Sequence, residues 1–170
     1  GYNTQDLVLK PAFHVAAMDT LRQLAADCAD GPALAVGGPW VEGVSLYNAY
    51  LVMRGGQIDA RIFKHHLPNE TVFDEQRLFA SGRVAGPYAI GGLRIGSPIC
   101  EDAWFQDVAE TLAETGAEFL LVPNGSPYYR GKHETRLNHM VGRGVAPGPP
   151  AIFLHLARRA GDSGFVLASF

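Results

Sequence analysis

Cys100 stands in SPICEDAW, Ser97 to Trp104, between an apolar run and an acidic pair. A thiol placed where a strand ends and a helix is about to begin meets unpaired backbone N–H groups and the positive end of the helix. Both favour the thiolate and can hold an oxyanion. A sharp turn from strand to helix also drives the side chain outward, the logic of the nucleophile elbow of hydrolases. The plain alternative is a small buried hydrophobe, the usual fate of a cysteine in an apolar stretch. A nucleophilic thiol works with partners. Lys64 ends the stretch GQIDARIF, and the polar segment after it carries Glu70, Asp74 and Glu75, so one feature supplies a cation and several carboxylates. A solvated strand-end lysine and an exposed helical turn at FDEQRLF are the competing readings. None of His14, His65, His66, His133, His139 and His155 falls into a metal-ligand spacing with a cysteine or a second ligand pair, so no metal is expected.

The elements that must position these groups follow from periodicity. From Lys10 to about Cys28, Phe13, Ala16, Ala17, Leu21 and Leu24 recur at helical spacing, with Pro11 in the first turn. Ala33 to Trp40, Leu46 to Met53 and Gln57 to Phe63 read as successive strands, the last two joined by a tight turn at Arg54 to Gly56. Lys64 to Gly82 has no periodicity and reads as a long loop, which in a compact domain is more often functional than idle. A short strand turns at Gly91 and Gly92 into another, Leu93 to Ile99. A helix over Phe105 to Thr115 presents Val108, Ala109, Leu112 and Ala113, and Gly116 closes it before a buried strand in GAEFLLVPNGSP. Arg130 to about Val145 reads as a helix and Pro150 to Ala157 as another strand, with GFVLASF, Gly164 to Phe170, coming last. Hairpins mixed with a strand, helix, strand unit predict layered helices and mixed sheets, an α/β or α+β sandwich.

Composition narrows the class. With 47% hydrophobic residues in 170, the chain has enough apolar surface for one globular domain with a substantial core. A net charge of −3 without a basic stripe argues against nucleic acid as a partner. No apolar run approaches the roughly 20 residues that span a bilayer, and no secretory pattern opens the chain. A cytoplasmic protein off the membrane, with Cys28 and Cys100 reduced, is therefore expected.

Three ordered motifs carry a resemblance: FKHHLPN followed by TVFDE, RIGSPICEDAW, and LLVPNGSPYYRGKHETR. With GGPWV and LYNAYLVM they resemble the glutamine-hydrolysing domain of glutamine-dependent NAD synthetases, within the nitrilase (carbon-nitrogen hydrolase) superfamily, over nearly the whole chain. The resemblance implies an α-β-β-α sandwich, here truncated at both ends, and assembly into homo-oligomers. It implies that Cys100 attacks the side-chain amide of glutamine to give a thioester, and that Lys64 stabilises the oxyanion beside a backbone N–H next to Cys100. Glu75 would hold the lysine and thiol in place. Glu101 matches a position that recognises the substrate's amino group, and Ser126 and Lys132 match positions lining the glutamine pocket. No cofactor is implied for the amidase domain. ATP and magnesium belong to the synthetase domain of the parent chain, which would use the ammonia to amidate deamido-NAD.

The departures from the family are specific. The family's general base is a glutamate at the end of an early strand, just before the segment that matches the opening GY, so residues 1–170 are expected to be a partial domain without useful glutaminase activity of their own. The family's aromatic residue after LPN is replaced by Glu70. Toward the end, Ala146, His155, Arg158, Arg159 and Gly161 stand where the family has other residues. A stand-alone nitrilase-superfamily amidase for another small amide, and a catalytically dead nitrilase-like structural module, are the alternatives.

Overall fold

Pro11 occupies the first position of α1 (Pro11–Asp27), where its missing N–H costs no hydrogen bond. The computed structural model describes residues 5–70, 73–125 and 149–155, which fall into two compact units, Tyr2–Ala85 and Gly86–Phe170. In the first unit Leu21 and Ala25 of α1 are buried, with Met18 and Leu24 packed beside them, while Ala16, expected on the apolar face, is exposed.

α1 lies on an antiparallel sheet of β1 (Leu34–Glu42), β2 (Ser45–Arg54) and β3 (Gln57–Phe63), in that order. The expected turn between β2 and β3 falls at Gly55 and Gly56. Side chains alternate across the sheet. Trp40, Ala49, Leu51 and Met53 form one core with Leu21 and Ala25 of α1. The alternate positions Tyr50, Val52 and Ile62 are buried as well. A sheet buried on both faces accounts for the nearly continuous apolar run of β2. Lys64 continues the series of Ala60 and Ile62, and so belongs to the face away from α1.

The segment after β3 is less irregular than its sequence implies. It contains one helical turn, α2 (Glu75–Leu78), and its far end returns to the sheet. The Ala80 N–H donates to the Leu46 carbonyl at 2.8 Å and the Gly82 N–H to the Lys64 carbonyl at 2.8 Å. Ser81 Oγ donates to the His65 carbonyl at 2.7 Å. Lys64 also donates its own N–H to the Asn48 carbonyl at 2.9 Å, so its backbone is bonded on both edges. Gly82 permits this closure because a Cβ there would lie 2.4 Å from Phe63 Cβ and 2.7 Å from the Phe63 carbonyl oxygen.

The second unit has the strand order β4 (Tyr88–Ile90), β5 (Leu93–Gly96), β6 (Phe119–Asn124) and β7 (Ala151–His155). β4 and β5 are antiparallel, whereas β5 with β6 and β6 with β7 are parallel. A parallel pair needs a crossover, and α3 (Gln106–Glu114) provides it between β5 and β6. Val108 and Leu112 bury its apolar stripe, with Ala113 exposed. Gly116, at φ 87°, ends it: its N–H reaches the Ala113 carbonyl and the Ala117 N–H reaches that of Leu112, the double closure of a Schellman motif.

One boundary differs from expectation. The strand predicted to run to Ile99 stops at Gly96, because Pro98 has no N–H to continue a ladder. The helix predicted over 130–145 and the closing stretch 164–170 lie outside the described residues. No helix among the described residues is long and apolar enough to cross a membrane.

Gly82→Ala is expected to destabilise the protein by about 1–3 kcal/mol, since backbone atoms of Phe63 would have to move. A denaturant midpoint equal to that of the parent would show that the loop end does not pack in this way.

Candidate active site

Lys64 is 2% exposed and Glu75 4% exposed, so neither is a solvated surface group. Lys64 Nζ donates to Glu75 Oε2 at 2.8 Å, and Asn48 Nδ2 donates to Glu75 Oε1 at 3.3 Å. Both carboxylate oxygens are therefore engaged, one by a cation and one by an amide. The geometry follows from register. Ala49 faces Phe63 across β2 and β3, so Asn48 and Lys64 are the next pair on the same face, and α2 brings Glu75 to both. The Glu75 N–H donates to the Pro68 carbonyl at 3.0 Å, which fixes the start of α2.

The reading of FDEQRLF as an exposed helical turn holds for Asp74, Gln76 and Arg77 but fails for Glu75. Asp74 Oδ2 and Asp6 Oδ1 accept hydrogen bonds from Arg77 at 2.5 Å and 2.7 Å. These bonds, first to Asp74 and then to Asp6, raise the Arg77 guanidinium pKa further above its usual value. The pairs are solvent-exposed and add little to stability. Glu70 is also exposed, so of the three loop carboxylates only Glu75 meets the lysine.

Cys100 opens a five-residue 3-10 turn, Cys100–Trp104, and α3 starts only at Gln106. The expected direct passage from strand into α-helix is thus replaced by an extended Ser97–Ile99 segment and a tight turn. Among the described residues Cys100 is the one non-glycine with a left-handed backbone, at φ 52°. Such a conformation costs on the order of 1–3 kcal/mol and persists only where its surroundings impose it. Asp102, 2% exposed, imposes it here. Its Oδ2 accepts from the Ile99 N–H at 3.1 Å and its own N–H donates to the Ile99 carbonyl at 3.1 Å. Upstream, the Tyr88 hydroxyl and Ser97 Oγ share a buried hydrogen bond of 2.9 Å that ties β4 to this segment. Burial pushes the Tyr88 phenol pKa above the usual range, with the Ser97 contact opposing the shift.

Cys100 is half-buried, as is Cys28, and neither is in a disulfide. Its Sγ donates to Asn124 Oδ1 at 3.1 Å. Burial along β6 alternates so that Leu120, Val122 and Asn124 fall on one face, and Asn124 is 4% exposed. The last residue of the strand thereby presents its amide to the thiol. Glu101 stands half-buried beside Cys100 in the same turn. Ser126 and Lys132 lie outside the described residues. Each unit holds one cluster of its own: Lys64, Glu75 and Asn48 in the first, Cys100, Asn124 and Asp102 in the second. Asn48, Asp102 and Asn124 were not singled out from the sequence. The available signals were an asparagine interrupting the apolar run LYNAYLVM, an aspartate two residues after the cysteine, and an asparagine ending an apolar strand.

Residues 2–168 match the carbon-nitrogen hydrolase family, to which the chain belongs. Within it, the chain is similar to glutamine-dependent NAD(+) synthetases. It is 50% identical to that of Rhodobacter capsulatus over 170 residues, all of this chain and 31% of the relative. It is 41% identical to that of Xanthomonas campestris pv. campestris over 138 residues, 80% of this chain and 25% of the relative. The chain thus spans about a third or less of the curated relatives it matches. Among solved structures, the glutamine-dependent NAD+ synthetase of Acinetobacter baumannii, in complex with ADP, superposes with a TM-score of 0.79 at 26% identity, over 99% of this chain and 32% of that one. An amidase from Nesterenkonia shares the fold, with a TM-score of 0.74 at 23% identity, over 99% of this chain and 65% of that one. The α/β class expected from the sequence is therefore the nitrilase-type fold of these neighbours.

Removing one partner of a buried ion pair strands the other charge, whereas replacing both with apolar groups does not. Glu75→Leu should cost about 3–5 kcal/mol in denaturant unfolding, and Lys64→Met combined with Glu75→Leu distinctly less. Additive losses in that double-mutant cycle would show the two side chains to be uncoupled.

Proposed function

We propose that this chain is the glutamine-hydrolysing part of a glutamine-dependent NAD(+) synthetase. The observation that carries the reading is the buried Lys64–Glu75 pair at 2.8 Å, in a chain 50% identical to such a synthetase. An apolar pair would fill that space at lower desolvation cost, so a cation retained there points to a task for its charge. In the proposed reaction Cys100 Sγ attacks the side-chain carbonyl carbon of glutamine. The tetrahedral oxyanion is met by the Lys64 ammonium and by a backbone N–H next to Cys100. The C–N bond then breaks, ammonia leaves with the thiol's proton, and a glutamyl thioester remains. Water cleaves the thioester, restoring the thiol and releasing glutamate.

Glu75, held by Asn48, keeps Lys64 in place. Glu101 is assigned to the substrate's α-amino group, and Ser126 and Lys132 to the wall of the glutamine pocket. The proposal extends to the parent protein: a cytoplasmic homo-oligomer in which ammonia passes to a synthetase domain of the same chain, where ATP and magnesium drive amidation of deamido-NAD.

In the parent protein Cys100→Ala should abolish NAD synthesis driven by glutamine and leave synthesis from free ammonia intact. Loss of both would count against an amidase role. Lys64→Met should lower kcat for glutamine hydrolysis by about a hundredfold or more with a smaller change in KM, because the lysine's contact strengthens on the oxyanion. An unchanged kcat with a raised KM would make Lys64 a ground-state binding residue instead.

A further inference from the structure

The contact between Cys100 and Asn124 is chemically two-sided. A thiol can only donate to Oδ1, and that bond favours the protonated sulfur. A thiolate needs a donor, and an amide carries one on the opposite atom of the same group. Rotation of the Asn124 amide about its terminal torsion exchanges Oδ1 for Nδ2 at the sulfur without moving the backbone. We propose that Asn124 is the positioning residue that sets the ionisation of Cys100: it accepts a hydrogen bond from the thiol in the resting state and donates Nδ2–H to the thiolate once the proton has left.

The surroundings make such a donor consequential. The charged groups on elements packed against the Cys100 turn within its unit are Glu101 and Asp102 of the turn itself and Asp107, Glu110 and Glu114 of α3, while β6 contributes none. All five are carboxylates; Glu101 and Asp102, the two residues that follow Cys100 in the turn, disfavour a negative charge on the sulfur, and against them the function proposed above sets the Lys64 ammonium. α3 begins six residues after Cys100, and the five-residue 3-10 turn that Cys100 opens has too few aligned peptides to act as a helix start. Asn124 is placed to compensate because β6 ends at that residue. Its backbone is held in register opposite His155 of β7, and its side chain lies on the buried face with Leu120 and Val122. The sulfur is held from the other side by the strained Cys100 backbone and the Asp102 clasp on Ile99. Neither partner can drift, so the amide need only turn.

The inference rests on the reading of Cys100 as the nucleophile, but its test needs no substrate. The rate of iodoacetamide alkylation at Cys100 is followed against pH by peptide mass spectrometry, which separates it from Cys28, for the parent protein and two near-isosteric variants. Asn124→Leu removes both the donor and the acceptor. Losing a donor to a charged sulfur outweighs losing a weak S–H bond, so the midpoint should rise and alkylation at pH 7 should slow by about tenfold. Asn124→Asp keeps an acceptor and adds a charge, and should slow it further, with the high-pH plateau preserved in both variants. A midpoint unchanged or lowered in a folded Asn124→Leu protein overturns the proposal. The function proposed above fails separately: a parent that does not hydrolyse glutamine would sink that reading and leave the alkylation result standing.

Discussion

A lysine ammonium held 2% exposed dictates much of what surrounds it. Taking that charge out of water costs several kcal/mol, and only a close carboxylate with its own lone pairs occupied can offset the loss. Glu75 supplies the carboxylate and Asn48 occupies its second oxygen. For Glu75 to arrive there, a segment without sequence periodicity must make one helical turn and then return to the end of β3. That return, through Ala80, Ser81 and Gly82, holds the lysine's backbone as firmly as the ion pair holds its side chain. Shielding also preserves the charge's field, since an ammonium in low dielectric acts on its neighbours far more strongly than one in water.

The cysteine is constrained differently. Its strain is conformational, a left-handed φ on a residue with a Cβ, and the compensating interactions are local hydrogen bonds exchanged between Asp102 and Ile99. Pro98 ends the strand early enough to leave room for the turn. β6 then delivers Asn124 to the sulfur as a by-product of ordinary strand alternation, the same two-residue period that buries Leu120 and Val122. The contact at the thiol is thus built from packing: the core fixes the register, and the register fixes the amide.

Much of the scaffold was legible residue by residue. The helical spacing from Phe13 to Leu24, the glycine turn between β2 and β3 and the closure of α3 at Gly116 all express local rules, in which a residue and its near neighbours decide the outcome. Errors occurred where a local rule met a competing one: the apolar character of Ile99 favoured strand, and Pro98 removed the donor a strand needs. The loop after β3 hid its helical turn because four residues are too few to show a period.

The candidate site divides along the same line. Cys100, Lys64 and Glu75 could be named from the order of motifs, because residue types such as a thiol before an acidic pair or a lysine ending a strand are written directly in the chain. Which of Glu70, Asp74 and Glu75 meets the lysine was not readable from residue types, since all three carry the same charge. Only burial distinguishes them, and burial is a property of the folded unit: Glu75 loses water and needs the ammonium, while Glu70 and Asp74 keep theirs. Asn48, Asp102 and Asn124 became visible for the same reason. Their amides and carboxylate gain meaning only when strand pairing, chain reversal and a tight turn bring distant segments within hydrogen-bond reach.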